Sequence, residues 1–222
     1  MNRAHLLDEL AITITAVSCN HPIRVAIDGI DASGKTTLAN ELVQPVERLG
    51  YQVISASIDK FQQPREVRHQ RGSLSPEGYY YDAFDYESFK IALLEPLGAN
   101  GNRLYYTEHF DLRENMKIHP NWKQADEHSV LIVDGVFLQR PEINAYWDWR
   151  IWVDVPFEIA LERACQRDLE IFGTVDVVRE RYAKRYFPAQ KLYFEQCQPK
   201  ISAQLVVDNS DPLHPTLCKS VP

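Results

Sequence analysis

Residues 29–36, Gly29-Ile30-Asp31-Ala32-Ser33-Gly34-Lys35-Thr36, match G-x-x-x-x-G-K-[ST] at every fixed position. That spacing captures a polyphosphate. Gly29 and Gly34 let the chain curl, so that the N–H groups of Ile30 through Thr37 and the start of the following helix aim at one anion. Lys35 is placed to reach the β- and γ-phosphates, and the Thr36 hydroxyl to ligate Mg²⁺. A nucleoside triphosphate and Mg²⁺ are therefore expected here, ATP as the cofactor with GTP left open. A chance match in a strand–helix turn is the bland alternative. The apolar run Ile23–Ile27 before the motif and the helical segment after it speak for the site.

Phosphoryl transfer also requires a metal carboxylate and a group that orients or deprotonates the acceptor hydroxyl. Asp134 follows the apolar run Val130–Val133 and is the candidate second metal ligand, although a turn aspartate in Asp-Gly would look the same. Asp59 ends the second apolar segment and is the candidate general base, with helix or turn capping as its alternative. Arg163 and Arg167, four apart on one helix face, either clamp the transferring group or lie on a solvated surface. Arg181 and Arg185 repeat that spacing beside Tyr182 and Tyr186. They could face the same cleft, and Arg65, Arg68 and Arg71 in the long loop could bind an anionic substrate, but for both groups the solvated reading is preferred.

These groups need a frame that brings them to one edge. Strands are expected at Ile23–Ile27, Tyr51–Ile58, Val130–Val133, Arg150–Val155 and Leu205–Val207. Helices are expected within residues 1–20, over Lys35–Leu49, Tyr86–Leu94 and Val177–Gln198, and after Pro156. Arg103–Asp111 reads as an extended piece or small hairpin, and the segment after Val207 as a polar tail. The connection from Lys60 to Tyr81 is long enough to be a functional loop or lid. The alternation predicts an α/β fold with a parallel central sheet and helices on both faces. Asp59, Asp134 and the phosphate loop all fall at strand C-termini, where such sheets bind ligands.

A chain of 222 residues with 45% hydrophobic content suits one domain with room for an insertion. The net charge of −7 argues against a nucleic-acid partner. The four cysteines (Cys19, Cys165, Cys197, Cys218) are scattered and read as reduced thiols. The N-terminal stretch carries Asp8 and Glu9 and does not read as a signal peptide. No apolar run is long enough for a membrane span. A cytoplasmic protein acting on a small molecule is expected, with homo-oligomerisation left open.

Val25-Ala26-Ile27-Asp28-Gly29, Ser33-Gly34-Lys35-Thr36-Thr37-Leu38-Ala39 and Ile58-Asp59-Lys60-Phe61 together resemble the uridine kinase-like branch of P-loop kinases, over about Ile23 to Asn209. The group includes phosphoribulokinase and bacterial pantothenate kinase. The resemblance implies the P-loop NTPase three-layer sandwich with a small lid and substrate insertion: substrate-side loops at 60–84 and 100–125, and a lid at 163–185. It further implies that Asp85, in Ala83-Phe84-Asp85-Tyr86, holds ribose hydroxyls, and that Tyr106 and Asp111 contact the base. His109 takes the place of Asp111 if the register slips by two. The lid departs from the family, with Phe172-Gly173-Thr174 where uridine kinases carry Arg-Gly-Arg. The implied activity is ATP-dependent phosphorylation of a nucleoside such as uridine or cytidine. The alternatives are a kinase of a sugar, pantothenate-like or glycerate-like acceptor, or a nucleotide-binding switch without turnover.

Overall fold

The computed structural model describes residues 2–219. Helix α1 (Arg3–Thr15) starts on an Asn2 side chain that accepts from the His5 N–H. Strand β1 (Ile23–Gly29), helix α2 (Lys35–Arg48) and strand β2 (Gln52–Ser57) follow. The long connection is not structureless: it holds α3 (Arg65–Arg68) and α4 (Pro76–Asp82), the latter capped by the Ser75 hydroxyl. Helix α5 (Tyr86–Phe89) continues into a π-helical turn over Lys90–Leu94, where a single α-helix was expected.

Residues 104–124 form four two-residue strands: β3 (Leu104–Tyr105), β4 (Phe110–Asp111), β5 (Met116–Lys117) and β6 (Lys123–Gln124). Of the extended piece or small hairpin expected over Arg103–Asp111, extended pieces are present as β3 and β4, and the hairpin is not. β3 pairs with β6 and β4 with β5, so both partners lie beyond residue 111.

Strands β7 (Ser129–Gly135) and β8 (Trp149–Asp154) lead to α6 (Phe157–Arg167), with Pro156 as its N-cap rather than in its first turn. Then come α7 (Leu169–Phe172), α8 (Val175–Arg181), a π turn over Tyr182–Tyr186, α9 (Phe187–Cys197), α10 (Pro199–Ser202) and β9 (Leu205–Asp208). The tail is not simply polar loop, because β10 (Thr216–Lys219) pairs antiparallel with β9 and covers the sheet edge.

The sheet order is β10-β9-β8-β1-β7-β2, parallel in every pair but the first. Its strands alternate between two cores, as period-two side-chain geometry requires. Val25, Ile27, Ile132 and Val153 face α1 and α2, against Leu6, Leu10, Leu38 and Leu42. Ala26, Leu131, Val133 and Trp152 face an aromatic layer that includes Tyr80, Phe89, Phe137 and Tyr193. The fold is thus α/β, a mostly parallel sheet flanked by helices. Register places the chemistry: Ile27 and Ser57 both pair with Asp134, which brings the phosphate loop, Asp59 and Asp134 to one sheet edge. Among the described residues no helix is long and apolar enough to cross a membrane.

Candidate active site

The loop between β1 and α2 is held in a conformation that only its own residues tolerate. Gly34 sits at φ 95°, and a Cβ there would stand 2.5 Å from the Asn209 Nδ2. A Cβ on Gly29 would stand 2.6 Å from the Val153 carbonyl oxygen. Ala32 also has positive φ, at 61°. Asn209, just past β9, donates from Nδ2 to the Ser33 carbonyl at 2.7 Å and props the loop from outside. Lys35 is buried, and its Nζ donates to the Ile30 carbonyl at 2.7 Å. Desolvation pulls its ammonium below the ordinary lysine range, while Asp31, Asp28, Asp59 and Asp134 work in the opposite direction. The loop opens on a cavity of about 400 Å³ lined by Ala32, Gly34, Lys35, Thr36 and Thr37 with Arg163 and Arg167.

Beneath the loop lies a fully buried carboxylate. Asp28 accepts from the Tyr193 hydroxyl at 2.5 Å, from Gln139 Nε2 at 3.2 Å and from the Gly29 N–H at 2.8 Å. Desolvation outweighs these donors and pushes its pKa up to about 6.

Thr36 donates from Oγ1 to Asp134 Oδ2 at 2.5 Å. A hydroxyl and a carboxylate in contact beside a phosphate loop are hard oxygen donors of the kind Mg²⁺ takes alongside phosphate oxygens. The donor set therefore fits that ion, although among the described residues no three His, Cys, Asp or Glu side chains gather around one point.

Asp59 lies two residues beyond β2, in a 3₁₀ turn over Ile58–Lys60, with Gln62 Nε2 at 3.4 Å from its Oδ1. Much of the residue's surface is open to the cleft. Its carboxyl is nevertheless enclosed enough for desolvation to raise it above the ordinary carboxylate range, with the Asp31 charge adding to the rise and Lys35 opposing it. Asp59 and Asp31 line a second cavity of about 370 Å³, whose walls include Arg68, Tyr79, Asp168, Arg181 and Arg185. Asp31 is a loop residue by sequence but faces this second cavity. Its carboxylate is held by the Tyr79 hydroxyl at 3.1 and 3.2 Å and by Gln190 Nε2 at 3.0 Å.

Arg163 donates from Nη2 to the Asn209 and Ser210 carbonyls at 2.8 and 3.0 Å, so it braces the loop after β9 while lining the phosphate cavity. Arg167 is pinned by Asp168 at 2.7 Å and lies 3.1 Å from the Tyr182 hydroxyl, which itself donates to Asp168 at 2.8 Å. Arg167 lines both cavities, whereas Arg163 lines only that of the phosphate loop.

The residues expected to hold a nucleoside lie next to the turn that carries Asp59: the Asp85 N–H donates to the Phe61 carbonyl at 2.8 Å and the His109 N–H to the Lys60 carbonyl at 3.0 Å. Asp85 caps α5, accepting from the Ser88 N–H and hydroxyl at 3.0 and 2.8 Å. Asp111 closes a turn on the N–H groups of Arg113 and Glu114. Tyr106 is buried in a stack with Phe61 and His109, and His109 lies 3.8 Å from Asp85. The partner that joins Asp85 and Tyr106 is therefore His109 rather than Asp111. None of the four lines the cavity of Asp59.

Arg68, Arg181 and Arg185, read as solvated from sequence, do line it, whereas Arg71 pairs with Asp82 at the surface. Sequence reasoning also missed Tyr79, Gln139, Gln190 and Tyr193. The consecutive tyrosines ending the long connection were the one local signal for any of them.

The family model of the phosphoribulokinase / uridine kinase family matches residues 24–209. The uridine kinase of Leuconostoc citreum is 27% identical over 78% of this chain and 82% of its own length. The chloroplastic uridine/cytidine kinase of Arabidopsis thaliana is 24% identical over 76% of this chain, which spans only 34% of that protein. Among solved structures, a possible uridine kinase from Bacillus stearothermophilus superposes with a TM-score of 0.72 at 24% identity, covering 91% of this chain and 97% of that one.

Proposed function

The chain belongs to the phosphoribulokinase / uridine kinase family, and from that premise we propose that it transfers the γ-phosphoryl group of ATP to a hydroxyl of a small metabolite in a Mg²⁺-dependent reaction. One observation carries the reading: the phosphate loop, the Thr36–Asp134 pair and Asp59 stand together at one sheet edge, with one cavity opening on the loop and another on Asp59.

Lys35 and the loop N–H groups bind the β- and γ-phosphates. Thr36 and Asp134 would hold Mg²⁺, whose charge offsets that of the phosphate oxygens. Asp59 accepts the proton of the acceptor hydroxyl. The acceptor oxygen then bonds to the γ-phosphorus as the bond to the β,γ-bridging oxygen breaks, leaving ADP, the phosphorylated product and a protonated Asp59. Arg167, between the two cavities, balances charge on the group in transit.

The uridine kinases among the relatives make a pyrimidine nucleoside the first acceptor to try. A second reading is a non-nucleoside acceptor, favoured because the Asp85 and Asp111 carboxylates already accept from nearby N–H groups. The test is transfer from labelled ATP to a panel of nucleosides, sugars and hydroxy acids, with and without Mg²⁺. Mg²⁺-dependent product from any acceptor supports the kinase reading. Tight ATP binding with no transfer to any of them would replace it with a nucleotide-binding switch.

A further inference from the structure

We infer that the acceptor is an anion, carrying a carboxylate or phosphate group that Arg68, Arg181 and Arg185 hold in the cavity where its hydroxyl meets Asp59. This deepens the kinase reading and rests on it.

The three guanidinium groups come from α3, from the end of α8 and from the π turn that follows, and they line one cavity with the candidate base. Among the described residues no carboxylate lies within 4.0 Å of any of them. Their bonds are to neutral groups. Arg68 donates from Nε to the Gln63 carbonyl at 2.7 Å. Arg185 donates to the Ser73 and Ser75 carbonyls at 3.0 and 3.3 Å, and its guanidinium carbon lies 5.2 Å from the centre of the Tyr79 ring. That of Arg181 lies 4.7 Å from the centre of the Phe172 ring. Carbonyls and rings fix where these charges sit without cancelling them.

The burial is the telling part. Arg185 is only 4% exposed, and a buried cation with no carboxylate in contact is costly. The cations also oppose one another: after desolvation, the largest influence lowering Arg68 is Arg185, and His69 beside it is lowered in turn by Arg185 and Arg68. An entering anion removes both costs at once. Of the acids in the cavity, Asp168 is paired with Arg167 and Asp59 is the base, while Asp31, held by the neutral Tyr79 and Gln190, acts on Arg185 only from beyond contact distance. Nor does ATP account for the cluster, because the phosphate-loop cavity is lined by Arg163 and Arg167 and by none of these three.

The experiment offers labelled ATP, Mg²⁺ and matched acceptor pairs: glycerol and glycerate, ribose and ribose 5-phosphate, uridine and uridine 5′-monophosphate. The anionic member of a pair is expected to exceed its neutral partner by at least roughly tenfold in kcat/KM, and the pair that responds distinguishes carboxylate from phosphate. Arg68→Gln and Arg181→Gln should each raise that acceptor's KM by roughly ten- to hundredfold, with the KM for ATP unmoved and Arg181→Lys partly restoring it. Equal use of the neutral and anionic members would overturn the inference and leave the kinase reading standing. If no acceptor reacts, the kinase reading fails, and orthophosphate is titrated into protein saturated with a non-hydrolysable ATP analogue. Weaker phosphate binding by Arg181→Gln than by the parent upholds the anion site; equal binding overturns it.

Discussion

The two cavities that Arg167 lines are made in different ways. The phosphate-loop cavity is mainly backbone: one contiguous run whose N–H groups and tight turns are dictated by Gly29, Gly34 and their neighbours. The second cavity is mainly side chain, drawn from the loop, the end of β2, α3, α4 and the helices after α6. A backbone-built site is written locally and tolerates few substitutions. A side-chain-built site depends on elements that only the fold brings together, and it can be re-specified one residue at a time.

That division can be broken most sharply at Asp59. Asp59→Asn should lower kcat by roughly 10²- to 10⁴-fold while leaving ATP affinity unchanged, as transfer rates and equilibrium nucleotide titration will report. Because the base must be ionised and its pKa is raised in the cleft, the acid limb of kcat/KM should fall above the ordinary aspartate value of 3.8. A limb at or below that value would remove Asp59 from the role.

The floor of the phosphate loop gives the next largest effect. Asp28 titrates near 6 when folded and near 3.8 when unfolded, so between those pH values the folded protein holds a proton that the unfolded chain has released. Its contribution is fully present below the lower value and is lost as pH rises through the higher one, a change of about 3 kcal/mol. Denaturant unfolding across that window should show the decline, and Asp28→Asn should flatten it.

Gly34→Ala sharpens the contrast from the donor side. Positive φ and a 2.5 Å contact with Asn209 make the alanine strained, so ATP affinity should drop by roughly tenfold whichever acceptor is present. An effect confined to acceptor KM would contradict the division. The smallest change is Asp85→Ala, where loss of the cap on α5 should cost about 1 kcal/mol in thermal or denaturant unfolding with acceptor KM unaltered. A large rise in KM would return Asp85 to substrate binding.

The same division explains what was legible in the sequence. The central strands were readable because each is a short apolar run bounded by turn residues, and the loop because its glycines and lysine admit few other readings. Strand β10 was not: Thr216–Lys219 is four residues of mixed character on an edge. Strands β3 to β6 are two residues each, too short for any period to register. Arg181 and Arg185 were misread for a geometric reason. The four-residue spacing puts them on one face, and both do line the same cavity, but whether that face meets solvent or the cleft is decided by α6 and the phosphate loop packed against it. Asp85 and Asp111 carry the right residue types, yet their oxygens satisfy nearby N–H groups, a use that no motif distinguishes from ligand binding.

Arg167 belongs to the walls of both cavities, and its guanidinium is tethered to Asp168 beside Tyr182. A side chain shared in this way makes the two ligands thermodynamically dependent on each other. By linkage, whatever factor bound nucleotide imposes on acceptor affinity, bound acceptor must impose on nucleotide affinity. Replacing Arg167 should bring that factor towards one, so that the two molecules bind as strangers to each other even where each still binds.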